Sequence, residues 1–223
     1  MIEGQPVFDW AWIVRNLDNI GARTLDHVVL TVLAVAIGFV ISFGLALAIR
    51  RNRRLTGPIL GISGILYSIP SLAFFMVLIR FTGIGSILTA EIPLVSYTIL
   101  ILVRNTLAGF DAVPADVVEA AEGMGYSRWQ RLWRVELPIA SPVIIAGLRI
   151  ATVTTVGLVT VTAFIGVQSL GSLILNPGLA NFFLTAVLVG SLGAIALAVA
   201  GDLGFMLLQR LATPWARDRA LGT

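Results

Sequence analysis

Few residues in this chain are equipped for chemistry. There is no cysteine, and the one histidine, His27, has no second metal-ligating residue beside it except Asp26. Without cysteine there is no thiolate nucleophile, no thiolate metal site and no disulfide. All 15 basic residues are arginine, and a phosphate-binding loop of the G-x4-G-K-[S/T] type needs a lysine. No G-x-S-x-G turn offers an activated serine. The reading is a chain with no catalytic residue, no metal site and no cofactor of its own. What remains is charge in apolar surroundings: Arg104, Arg149 and Asp202 interrupt long greasy runs. A charge at membrane depth is costly and marks an ion path or an internal pair. With one acid at that depth, Asp202 is expected to pair with one of the two arginines. The plainer alternative is that the arginines snorkel to the near membrane face.

The elements that carry these residues are spans of a membrane. Of the 223 residues, 57% are hydrophobic and only 12% charged, against about 25% charged in soluble domains. The mean hydropathy is +0.95. This is one all-α domain, a polytopic membrane protein with about five transmembrane helices. The arginines flank the apolar runs or sit in one polar loop, so no nucleic-acid surface is indicated.

Residues 7–26 alternate apolar groups, two of them tryptophans, with Asp9, Arg15, Asp18 and Asn19, and suit an interfacial helix. His27 would then lie at the rim of the first span, satisfied at the interface. Spans are expected at 28–49, 59–79, 92–108, 142–165 and 182–211, with a polar loop at 111–141. Twenty-two residues rise about 33 Å, enough for a hydrocarbon core of about 30 Å. Pro70 falls inside the second span and should kink it. The basic run Arg50, Arg51, Arg53, Arg54 places the end of the first span in the cytoplasm. That puts the N-terminus outside and the C-terminal tail, with Arg217 and Arg219, inside. Ten arginines then lie on inner segments and three (Arg15, Arg23, Arg80) on outer ones.

The loop is the most structured polar segment in the sequence. Pro114 suits the first turn of a helix, and Asp116, Glu119 and Glu122 recur every third residue along it. Gly125 can close that helix in the left-handed conformation. Ser127-x-x-Gln130 reads as a capping box for a second helix, which Leu137-Pro138 should end. Two readings stand for Glu119: it faces a partner, or it stabilises the positive end of its own helix.

The spacing Glu119-Ala120-Ala121, three residues, Gly125, nine residues, Val135-x-Leu137-Pro138 resembles the E-A-A-x3-G-x9-I-x-L-P loop of ABC importer permeases, with Val135 for isoleucine. Further stretches are similar to the osmoprotectant subfamily, which handles glycine betaine, choline and carnitine. They are Tyr67-Ser68-Ile69-Pro70-Ser71-Leu72-Ala73, Thr82-Gly83-Ile84-Gly85 and Val103-Arg104-Asn105-Thr106-Leu107-Ala108-Gly109. One stretch departs: Gly166-Val167-Gln168-Ser169-Leu170-Gly171 stands where that subfamily tends to read G-A-G-G-L-G.

The resemblance implies a type I ABC importer permease fold in a bacterial inner or plasma membrane. It implies a subunit that works beside a second permease copy or paralogue, among membrane lipid. A cytoplasmic ATPase dimer would carry the ATP and Mg, and an extracellular binding protein would deliver solute. Glu119, Ala120, Ala121, Gly125, Leu137 and Pro138 would then transmit ATPase motion to the spans. A quaternary ammonium solute favours aromatic faces, and Tyr67, Phe74, Phe75 and Tyr97, with Pro70 at the kink, are the candidates for its path. For any single aromatic, the reading as a core or lipid-facing side chain is the stronger one. A permease for another small polar solute, of the amino-acid type, is the nearest alternative. An ion-coupled secondary transporter is the more distant one: no internal repeat is visible, and one deep acid is little for ion coupling.

Overall fold

The computed structural model describes residues 8–213, and within them every regular element is helical. Val7 and the tail arginines Arg217 and Arg219 lie outside the described residues. Ten α-helices run in order: α1 Trp10–Arg15, α2 Leu17–Arg51, α3 Thr56–Ser68, α4 Ser71–Thr82, α5 Ile87–Asp111, α6 Ala115–Gly123, α7 Arg128–Arg131, α8 Leu137–Val161, α9 Leu170–Leu173 and α10 Leu184–Ala212. Four unbroken helices are long and apolar enough to cross a membrane: Leu17–Arg51, Ile87–Asp111, Arg128–Ile165 and Leu184–Leu211. The α3–α4 pair supplies a fifth crossing.

That pair is broken more sharply than a proline kink. Its arms meet at 94°. Proline disfavours the helical region for the preceding residue, and here Ile69 (ψ 128°) and Pro70 (ψ 128°) are both extended. Two successive extended residues restart the helix on a new axis. The pair still joins opposite ends of the bundle. Arg53, before it, reaches Asp111 at 3.0 Å, whereas the Gly85 N–H, after it, donates to the Ile165 carbonyl at the far end of α8 (2.9 Å).

Three expected boundaries move. The interfacial helix is short: α1 ends at Arg15, and from Leu17 the chain is already the 35-residue helix of the first span. Asn16 is the only residue between them that leaves helical geometry, so nothing stops α2 from extending outward. α1 docks instead on the start of α10, through Asp9 N–H to Thr185 Oγ1 (2.9 Å) and Trp12 edge-on to Phe183.

Leu137-Pro138 does not end the second loop helix. α7, a π-helical stretch over Leu132–Glu136 and α8 form one continuous helix, with Pro138 in the first turn of α8. The π-turn just before it, in which the Leu137 N–H bonds the Leu132 carbonyl five residues back, is where the helix accommodates the ring. Pro142, four residues on, cannot donate to the Pro138 carbonyl. The Ser141 hydroxyl donates to it instead at 2.8 Å, so Ser141-Pro142 is interior to the helix and not a start.

The segment after α8 does not leave the fold. α9 and the kinked stretch to Leu179 fold back into the bundle, where Leu170 and Leu173 pack with Val156 and Ala194. The core falls in such clusters, one of which joins Leu30 and Ala34 to Phe75, Leu94 and Val159. His27 is fully buried rather than at the rim, its Nε2 hydrogen-bonded to the Val156 carbonyl (3.1 Å).

Candidate functional site

α6 is a short amphipathic helix whose end follows from its sequence. Gly125 has φ +80°, the left-handed region that glycine enters without strain. Its N–H donates to the Glu122 carbonyl (2.9 Å), and the Tyr126 N–H donates to the Ala121 carbonyl (3.1 Å). These paired bonds are a Schellman closure. Ala121 faces inward and is buried, while Glu119 and Ala120 are exposed. Nothing lies within 4 Å of where a Gly125 side chain would start. The exposed face of α6 is therefore small and acidic, and open to a partner.

The capping box of α7 forms as its letters suggest. Ser127 Oγ accepts from the Gln130 N–H (3.3 Å), and Gln130 Oε1 accepts from the Ser127 N–H (2.8 Å). Leu137 and Pro138 sit apart from the exposed loop. Leu137 packs against Phe110, Leu132, Ala140 and Ile144 at the base of α8, so its contribution is to the packing beneath the loop.

Beneath α6 lies a charge cluster that sequence reading missed. Glu136 is 1% exposed. It accepts from Arg50 at the end of α2 and from Arg131 Nε of α7 (2.6 Å). Arg131 also pairs with Glu122 of α6. The Arg50 guanidinium lies over the Phe110 ring of α5, 4.3 Å from its centre. The π-helical turn makes this geometry: residues five apart lie about 140° apart around an α-helix, but a π-turn bonds i to i+5 and brings them onto one side. Glu136 occupies the spacer position of the Val135-x-Leu137-Pro138 pattern. A pattern with a free spacer and helical spacing gives no sign that Arg131 and Glu136 meet. A groove of about 930 Å³ opens beside the cluster, lined by Arg51, Arg128 and Trp129 among others.

Of the deep charges, the structure joins Arg149 and Asp202. Arg149 donates from Nε and Nη2 to the two carboxylate oxygens at 2.8 and 2.9 Å. The pair is half-buried, and Arg104 is exposed and outside it. Asp202 is also not the only deep acid. Because α5 starts at Ile87, Glu91 lies one turn inside it, 7% exposed, with no hydrogen-bond partner for either oxygen among the described residues.

The path aromatics divide. Tyr67, Phe74 and Tyr97 gather around the break at Ile69–Pro70, with Tyr97 edge-on to both other rings. The Tyr97 hydroxyl donates to the Ile69 carbonyl at 2.6 Å, satisfying an acceptor that the break releases. Phe75 is fully buried in the core with Ala90 and Leu94. It cannot line an open path in this conformation. Gln168, in the stretch that departs from the osmoprotectant pattern, lines a polar cavity of about 370 Å³ with Asn19, Arg23, Ser172 and Asn176.

This arrangement has close relatives. The chain is 37% identical over 207 residues to an osmoprotectant import permease protein, OsmW, of Salmonella typhimurium, covering 91% of this chain and 96% of that one. It is 30% identical over 192 residues to a glycine betaine/carnitine/choline transport system permease protein, OpuCB, of Bacillus subtilis (86% and 88% covered). A choline transport system permease protein of the same organism, OpuBB, is 31% identical over 197 residues, with 88% and 90% covered. The fold matches the inward-facing MetNI methionine ABC transporter with TM-score 0.79 at 22% identity, over 87% of this chain and 96% of that one. An amino acid ABC transporter with histidines matches with TM-score 0.73 at 17% identity (91% and 98% covered). The profile of binding-protein-dependent transport system inner membrane components matches residues 28–218. The chain belongs to that family, as a non-catalytic, multi-pass permease subunit of an ABC importer.

Proposed function

We propose that this permease takes up quaternary ammonium osmoprotectants such as glycine betaine, choline or carnitine, driven by a separate ATPase through the loop at 111–141. The observation that carries the coupling half is the build of α6: a rigid, Schellman-closed helix whose exposed face bears Glu119 and Ala120 while Ala121 anchors it inward. Small side chains allow a partner surface to approach closely, and the acid adds partner selectivity. The solutes for which the relatives are named support the solute class, and the aromatic group of Tyr67, Phe74 and Tyr97 suits a cation without a counter-carboxylate.

In this reading the loop faces the cytoplasm and the N-terminus the outside, in agreement with the arginine distribution. ATP and Mg act on the ATPase dimer, and an extracellular binding protein supplies solute to a pair of permeases, two copies or this chain with a paralogue. Closure of the ATPases moves α6 as a rigid body, and the spans answer by switching between two packings.

The test is uptake into vesicles holding the permease with its ATPase and binding protein, using labelled glycine betaine, choline and carnitine. Uptake that requires ATP and competes among these solutes supports the proposal. Uptake of amino acids instead would move the solute class. Flux driven by an ion gradient without the ATPase would remove the coupling.

A further inference from the structure

The charge cluster under α6 joins four elements that are distant in sequence. Arg50 ends the first span, Phe110 ends the third, Glu136 opens the fourth, and Arg131 with Glu122 belongs to the loop. Its two arginines and two glutamates balance in charge. Glu136 is the hub, with a side chain only 2% exposed that holds one arginine on each oxygen. A carboxylate so enclosed is little screened by salt, and it strongly opposes removal of either arginine.

We infer that the Arg50–Glu136–Arg131 relay is a positioning device that carries motion of α6 directly to α2, so that the loop drives the first span as well as the fourth. The inference rests on the coupling role proposed for the loop. α8 is continuous with α7 and needs no link to follow the loop. α2 is not continuous with it: Arg50 in its last turn holds Glu136, Phe43 packs against Trp133, and just past its end Arg53 reaches Asp111, the last residue of α5. The Arg53–Asp111 pair is exposed on both sides, 65% and 53%, and such surface pairs hold little. Of the two ion pairs, the relay is the one that survives a change of salt. Aromatic packing of Phe43 with Phe110 and Trp133 lies alongside it and keeps the same helices in register.

The experiment uses the assembled transporter in vesicles, with Glu136→Gln, Arg50→Gln, the double variant, and Glu119→Lys as a docking control. ATP hydrolysed per solute transported is measured together with ATPase co-purification. In parallel, spin labels at Arg51→Cys and Ala115→Cys, in a chain without native cysteine, report the distance between α2 and α6 with and without ATP. In the parent protein that distance is expected to stay constant across nucleotide states. In Glu136→Gln it should shift on ATP binding, with about tenfold more ATP spent per solute and ATPase recovery unchanged. The double variant should be no worse than the worse single one, because both break the same link.

A native ATP-to-solute ratio and constant label distance in Glu136→Gln would overturn the relay, as would a loss of transport only in proportion to transporter recovered. Should Glu136→Gln fail to reach the membrane, Arg50→Gln, which leaves the Arg131–Glu136 pair in place, is judged by the same two readouts. If Glu119→Lys uncouples while both relay variants do not, the relay fails and the docking role of α6 stands. If Glu119→Lys is without effect, the docking role itself fails.

Discussion

Arg149 grips Asp202 with two parallel hydrogen bonds, 2.8 and 2.9 Å long, and so ties the middle of α8 to the C-terminal half of α10. Paired N–H donors on both carboxylate oxygens fix the rotation of each helix as well as their separation. Arg149→Ala and Asp202→Ala should each lower the unfolding temperature in detergent. The exchanged pair Arg149→Asp with Asp202→Arg should recover part of the loss in stability and uptake. An exchange that recovers neither would show that the contact does not organise the bundle.

α9 reaches α8 through a contact with no room in it. A β-carbon on Gly171 would lie 1.9 Å from the Thr160 carbonyl oxygen. Gly171→Ala therefore has to push α9 away from α8, with overpacking that costs about 1–3 kcal/mol or more. Thermal unfolding of the variant should show the drop. By contrast Gly157→Ala, with nothing within 4 Å of its added carbon, should leave the unfolding temperature almost unchanged.

At the break of the second crossing, Tyr97→Phe removes the hydroxyl that donates to the Ile69 carbonyl. The ring and its contacts with Tyr67 and Phe74 remain, so the change isolates one hydrogen bond. An acceptor left unpaired in a buried setting costs about 1–3 kcal/mol. Reduced stability with an altered α3–α4 angle, measured by spin-label distances between exposed Ile65 and Phe81, is expected. An unchanged angle would mean that the extended backbone of Ile69 and Pro70 sets the bend without help.

Gly125→Val places a branched side chain at φ +80°, a strain of about 1–2 kcal/mol confined to the loop. Glu119→Lys reverses charge on the exposed face of α6. Both variants should insert normally and raise the ATP hydrolysed per solute. Native coupling with both changes together would remove α6 from the transmission path.

Several features were legible because they depend on local chemistry. Runs of apolar residues long enough for a bilayer determined the helical class and the number of crossings. Ser127 and Gln130 determined their own capping box, and Gly125 the closure of α6, since each acts on backbone groups within a turn or so of itself. The E-A-A-x3-G spacing marked the loop by its resemblance to that of ABC importer permeases.

What only the tertiary structure decided are the meetings of residues far apart in sequence, and the breaks that depend on them. Arg149 and Arg104 look alike in the sequence, but only one faces α10 and reaches Asp202. Pro70 and Pro138 are both prolines after a helical run. One opens a 94° bend, where Ile69 and Pro70 are both extended and the Tyr97 hydroxyl donates to the freed carbonyl, and the other lies in a continuous helix entered through a π-turn. Glu136 reads as a spacer until that turn aims it at Arg50, 86 residues away. A sequence determines what each backbone segment prefers; which charges are buried together is decided by where the packed helices bring them.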